Sequence, residues 1–124
     1  MLKFRNTRAK GNHGERLALD YLIQHGLTLV KQNINSRYGE IDILMRDGEE
    51  WVFVEVRFRK SQHFGGGLES VDRSKQRKLI NTAEYYIQTH HKTHFDSCRF
   101  DMIEISGDIN TPEINWIQDA FRAG

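Results

Sequence analysis

Gly39-Glu40-Ile41-Asp42-Ile43-Leu44-Met45, the turn Asp47-Gly48-Glu49-Glu50 and Trp51-Val52-Phe53-Val54-Glu55-Val56-Arg57-Phe58 form the stretch from which the fold can be read. Two short segments rich in β-branched and aromatic residues flank an Asp-Gly turn, the pattern of an antiparallel hairpin. With the turn centred between Gly48 and Glu49, Asp42 falls opposite Glu55 and Glu40 opposite Arg57. Opposed residues hold their Cβ atoms roughly 4.5 to 5.5 Å apart, so Asp42 and Glu55 bring two carboxylates to one spot on one face. The segment Trp51 to Phe58 is apolar on both sides except at Glu55 and Arg57, as in a central strand covered on both faces. Burying an unpaired carboxylate there costs several kcal/mol, and a second one opposite raises the cost. Two arrangements would relieve it. One is a bound divalent cation, Mg²⁺ or Mn²⁺, held by hard carboxylate, carbonyl and water oxygens. The other is a structural network in which Arg57 or Arg59 neutralises the pair.

Outward from the hairpin, Gly14 to His25 carries Leu17, Ala18, Tyr21 and Leu22 at helical spacing and stops at Gly26. Leu27 to Ile34 reads as a strand before the hairpin. Leu79, Ile80, Ala83, Tyr86 and Ile87 predict a second helix with Ser70 or Asp72 as its N-cap. Phe100 to Ile105 predicts a fourth strand and Ile114 to Ile117 a short fifth before a final turn. The predicted order is αβββαββ. Glu15 begins the inward stripe of the first helix, where it either reaches the carboxylate pocket or is simply an N-terminal acid favoured by the helix dipole.

The length of 124 residues, with 38% hydrophobic and 28% charged, fits one compact domain, taken as 1–124. No apolar run reaches the roughly 18 residues of a membrane span, and the N-terminus lacks a signal peptide's apolar stretch, so a cytoplasmic protein with no membrane partner is expected. The single cysteine, Cys98, excludes internal disulfides and a cysteine zinc cluster, and reads as a small core residue at a strand start. The net charge of +1 conceals a division. Residues 1–12 form a basic arm. The stretch from Arg57 to Lys78 sets seven positive residues against Glu69 and Asp72, whereas the chain after Phe95 is acidic. Within the basic stretch, Phe64-Gly65-Gly66-Gly67 offers backbone that a phosphate can approach closely. Arg57, Arg59, Lys60, Gly65, Gly66, Arg73 and Lys75 are therefore the expected nucleic-acid-binding residues, through salt-sensitive attraction to backbone phosphate. Arg77 and Lys78 read more simply as a solvated helix face.

Other signals are weaker. His90, His91 and His94 fall where the second helix ends, where histidines suit the dipole better than a zinc site. Arg99 and Asp101 share a face and are read as an edge ion pair. Trp116 and Phe121 are read as hydrophobic closure of the sheet and not as a base-stacking platform.

Taken together, Gly14-Glu15 with Ala18 and Tyr21-Leu22, Gly39-Glu40-Ile41-Asp42, Phe53-Val54-Glu55-Val56-Arg57 with Arg59, Phe64-Gly65-Gly66, Ser70-Val71, Lys75-Gln76 and Arg99-Phe100-Asp101 resemble the YraN-like family of uncharacterised bacterial proteins. That family is assigned to the restriction endonuclease-like superfamily, which includes Holliday junction resolvases, and the resemblance covers nearly the whole chain. It implies an α/β, three-layer restriction endonuclease-like fold with a mixed central sheet flanked by helices, and Mg²⁺- or Mn²⁺-dependent hydrolysis of DNA phosphodiester bonds. Branched or recombining DNA and a homodimer follow only by analogy with the resolvases. The superfamily's Asp on one strand and Glu-x-Lys on the next match Asp42, Glu55 and Arg57. Glu15 matches a helical glutamate of the resolvases, and Gln76 a polar position on the following helix. On this resemblance Asp42, Glu55 and Glu15 are the metal ligands, and Arg57 and Gln76 complete the catalytic set. Arg57 departs from the pattern, since a guanidinium with a pKa above about 12 cannot deprotonate water. It can orient water or offset transition-state charge. A catalytically inactive nucleic-acid-binding protein of the same fold is the alternative reading.

Overall fold

A computed structural model describes residues 7–59, 72–90, 97–108 and 110–122. Their elements follow the expected order: α1 (Thr7–Gln24), β1 (Thr28–Ser36), β2 (Gly39–Asp47), β3 (Glu50–Arg59), α2 (Arg73–Thr89), β4 (Cys98–Asp108) and β5 (Thr111–Phe121). The five strands lie in chain order in one mixed sheet, antiparallel throughout except for the parallel pair β3–β4. A parallel pair needs a long crossover, which here contains α2.

Alternation along the strands divides the core into two clusters. On one face Ile41, Leu44, Phe53, Phe100, Met102 and Phe121 pack with Leu79, Ala83 and Tyr86 of α2. On the other, Ile43, Met45, Val52, Val54, Ile103 and Ile105 pack with Ala18 and Leu22 of α1. The architecture is thus three layers, helix on sheet on helix. β3 is central, as its two apolar faces imply, and Trp51 to Val54 are all buried. The helical spacing of Leu79, Ala83 and Tyr86 directs one stripe of α2 into the core, each large side chain contributing about 1.5–3 kcal/mol. Asp72 caps α2 by accepting from the Lys75 backbone N–H at 2.8 Å. No helix among the described residues is long and apolar enough to cross a membrane.

Several expectations shift. α1 starts at Thr7, so residues 7–12 of the expected arm are helical. Gly11 lowers helix propensity by about 1 kcal/mol, too little to stop a helix whose core stripe follows it. β5 spans eleven residues, because its pairing continues along β4 from Asp108↔Thr111 to Phe100↔Phe121. Trp116 and Phe121 do close the sheet, on opposite faces. Cys98 opens β4 as expected but is exposed, since the strand end reaches solvent there. His90 ends α2, its ring stacked on Tyr86 with centroids 3.9 Å apart, while His91 and His94 lie outside the described residues.

The Arg99–Asp101 pair is interior. β4 lies between β3 and β5, and Asp101 is only 1% exposed. Its carboxylate accepts from Arg99 Nε, the Trp116 indole N–H and the Asp119 backbone N–H, each at 2.9 Å. Arg99 in turn reaches Glu50 at 2.8 Å and Asp47 at 3.1 Å. Nε, Nη1 and Nη2 of Arg99 thus each meet a carboxylate oxygen, which is the condition for such a network to be tolerated.

Candidate active site

The β2–β3 hairpin has the register expected from its turn, running from Asp47↔Glu50 to Ile43↔Val54, and there the pairing ends. Beyond that point β2 stays with β1, so that Glu40 pairs with Asn35 and not with Arg57. The strands diverge where Asp42 and Glu55 come next. Ile43 and Met45 pack toward α1, whereas Ile41 joins the α2-side cluster, so the regular alternation of β2 breaks at Asp42. In place of a further ladder bond, the Val56 N–H donates to Asp42 Oδ2 at 2.8 Å. A backbone donor of the central strand is thereby satisfied by the very carboxylate that lines the gap.

Glu55 is buried on the α2 face of β3. Its Oε2 lies 3.0 Å from Lys75 Nζ on the first turn of α2 and 3.8 Å from Arg57 Nη1. On the other side of the gap, Gly14 of α1 is pressed against the Phe58 ring, with no room for a Cβ. That close approach sets Glu15 beside Asp42. Burial and the charges of Glu40 and Glu55 raise the Glu15 carboxyl above its usual range, and hydrogen bonding with Asp42 opposes them. Asp42 is affected far more. Burial first, then the charge of Glu55, push it up to about 8, while the Val56 N–H pulls it down. Near neutral pH the group therefore keeps a proton, because three carboxylates adjoin in a partly desolvated site where Lys75 is the nearest cation to Glu55 among the described residues.

The site opens into a cleft of about 410 Å³ lined by Gly39, Glu40, Asp42, Glu55, Asp72, Ser74, Lys75, Lys78 and Leu79. Anionic floor and cationic rim come from different elements, the strands and α2 respectively. Among the described residues no three His, Cys, Asp or Glu side chains converge into a ready-made metal cage. Asp42 and Glu55 nonetheless offer hard oxygen donors to an open cleft, with Glu15 behind Asp42.

The sequence-derived residues thus divide by location. Asp42, Glu55, Glu15, Arg57 and Lys75 come together. Arg59 instead pairs with Glu104 of β4 at 3.1 Å, a buried carboxylate that the sequence reading missed. Gln76 and Arg73 line a neighbouring groove with Arg77, Ile80, Asn81 and Arg122. Lys60, Gly65 and Gly66 lie outside the described residues. Lys75 was expected on a phosphate-binding surface, and its ion pair with Glu55 could not be read from its position three residues after the helix cap. Glu104 carries a weak sequence signal, an acid alternating with Met102, Ile103 and Ile105 in a strand.

The family model described as uncharacterised protein family UPF0102 matches residues 14–105. A UPF0102 protein of Psychromonas ingrahamii is 47% identical over 94% of this chain and 92% of its own length. One from Legionella pneumophila is 45% identical over 95% of this chain and 98% of its own. Another, from Stutzerimonas stutzeri, is 42% identical over 94% and 98%. The matched segment contains Glu15, Asp42, Glu55, Arg57 and Lys75 together.

Proposed function

Given that the chain belongs to uncharacterised protein family UPF0102, we propose that it is a cytoplasmic, metal-dependent endonuclease of the restriction endonuclease-like type, hydrolysing DNA phosphodiester bonds. One observation carries this reading: Asp42 and Glu55 sit at the divergence of two strands, over-charged for their burial, at the floor of an open cleft with a lysine rim. An arrangement serving only stability would gain more from neutral residues there.

The donor set fits Mg²⁺ or Mn²⁺, which are commonly held by one or two carboxylates with water completing the shell. Asp42 and Glu55 would hold the ion, with Glu15 adding a ligand directly or through water. When bound, such an ion supplies Lewis acidity and an activated water. The residues of the chain provide the rest. Lys75, already 3.0 Å from Glu55, would bring an ammonium to the carboxylate pair in a chain that has Arg57 where the superfamily pattern has lysine. It would offset charge building on the scissile phosphate. Arg57 would orient water and phosphate, and Arg73, Arg77 and Lys78, all exposed on α2, would attract the DNA backbone.

Arg57 favours a second reading, in which the chain binds nucleic acid without turnover. Both readings are tested by incubating the protein and Asp42→Asn with single-stranded, duplex, flap and four-way-junction DNA in Mn²⁺, Mg²⁺ or EDTA. Metal-dependent cleavage by the parent alone supports the nuclease, and binding without cleavage supports the second reading. A mutant as active as the parent refutes the site assignment.

A further inference from the structure

The turn between β1 and β2 carries an aromatic feature that the carboxylate chemistry does not use. Tyr38 and Tyr85 are large apolar rings left 37% and 43% exposed, on elements far apart in the chain. Their centroids are 6.2 Å apart with planes inclined at 62°. The Arg37 guanidinium carbon lies 5.0 Å from the Tyr38 ring centre, and its Nη2 donates to the Tyr38 hydroxyl at 2.9 Å. Two rings and a cation thus form one exposed cluster.

The cluster is firmly mounted. The Tyr38 backbone N–H donates to Ser36 Oγ at 3.0 Å, and Ser36 Oγ donates to Thr82 Oγ1, a fully buried hydroxyl of α2, at 3.3 Å. Gly39, next after Tyr38, has φ +153° and backs onto Thr82 and Lys78. A glycine there lets the turn lie flat on the helix without a strained backbone. The cluster also adjoins the cleft. Gly39 and Lys78 both line it, and Lys78 and Tyr85 are seven residues apart, so they lie on one helix face about 10 Å from each other. One face of α2 therefore presents, in order, Lys75 at Glu55, Lys78 at the cleft wall, Thr82 under the turn, and Tyr85 beside Tyr38.

We propose that Tyr38, Tyr85 and Arg37 form a stacking platform for an unpaired nucleobase of the strand whose backbone enters the cleft, so that the preferred substrate carries single-stranded DNA beside the scissile phosphate. The proposal rests on the nucleic-acid reading of the cleft. Aromatic rings accept the face of any base, and an adjacent guanidinium adds both a stacking plane and a charge for phosphate. A base within a duplex is already stacked on both sides and is not available to the platform.

The test measures fluorescence anisotropy in EDTA with one labelled oligonucleotide, either single-stranded or annealed to its complement. The parent binds the single strand more tightly. The Tyr38→Leu/Tyr85→Leu variant, which keeps apolar bulk but loses both π faces, weakens single-strand binding by about tenfold and duplex binding by less than about twofold. Tyr38→Phe/Tyr85→Phe binds as the parent does. Should the double leucine variant fail to fold, Tyr85→Leu alone, which leaves the turn intact, shows the same selective loss at about fivefold. Equal loss on both DNAs, no loss, or a phenylalanine variant as weak as the leucine one overturns the platform. A parent that binds neither DNA overturns the cleft reading along with it. A parent that binds duplex, with tyrosine variants indistinguishable from it on single strands, overturns the platform alone.

Discussion

Raising the pH weakens the metal-free fold through Asp42. Its carboxyl stands at about 8 against an ordinary value of 3.8, raised first by burial and then by the charge of Glu55. A carboxyl with a folded value above its unfolded one keeps its proton in the fold after the unfolded chain has released it. Its contribution is fully present below the unfolded value and is lost as the pH rises toward the folded value. Each pH unit inside that window corresponds to about 1.4 kcal/mol, so moving from pH 5 to pH 7 removes roughly 2 to 3 kcal/mol. The assay is urea unfolding in EDTA across this range for the parent and for Asp42→Asn, whose amide oxygen can still accept from Val56 but carries no charge. Subtracting the two curves cancels the titrating groups remote from the site and leaves the shared titration of Asp42 with Glu15 and Glu55. The difference moves in the mutant's favour by that amount between pH 5 and 7 and levels off above 8. Mn²⁺ or Mg²⁺ then stabilises the parent more at pH 8 than at pH 6, because binding at the lower pH must displace the Asp42 proton. Parallel curves for parent and mutant would refute the account of an over-charged carboxylate group.

Further outcomes are expected elsewhere in the molecule. Lys75→Gln lowers metal-dependent cleavage by about 100-fold and, in EDTA, also lowers the urea midpoint, because buried Glu55 loses its nearest cation. Asp101→Ala leaves the Trp116 indole N–H and the Asp119 backbone N–H without their acceptor, while Arg99 keeps Glu50 and Asp47, and costs roughly 2–4 kcal/mol in the same unfolding assay, with a change in Trp116 fluorescence. Phe53→Ala opens a cavity in the α2-side core and costs about 3–5 kcal/mol. Arg73→Gln and Arg77→Gln each reduce the slope of log affinity against log salt by about 1 on any DNA. An unchanged slope would remove that helix face from the interface.

The apolar positions of β2 and β3, and the Asp47-Gly48 turn between them, were enough to set the hairpin and its register, because side-chain period and turn geometry act over a few residues. The same local rules made β3 the central strand and gave the order αβββαββ, and they marked Asp42 and Glu55 as a pair in need of a counter-charge. Local rules could not show that the ladder stops at Ile43↔Val54, since what draws β2 away is its pairing with β1 on the other side. Nor could they show that Asp42 turns to the Val56 amide.

The partners that complete the site were decided by packing at long range. Lys75 meets Glu55 only because α2 docks its apolar stripe on the sheet, and Arg59 meets Glu104 only because β4 lies parallel beside β3. Asp101, which in sequence resembles an edge residue, became interior when β5 covered β4, and it sits where the β4–β5 register shifts between Phe100 and Met102. Tyr38 and Tyr85 came together through the Ser36–Thr82 contact, for which nothing near either residue in the chain gives a signal. Sequence determined which side chains each element presents and to which face, because those follow from the geometry of a strand or a helix. The tertiary structure decided which of them meet, because that depends on how separate elements pack.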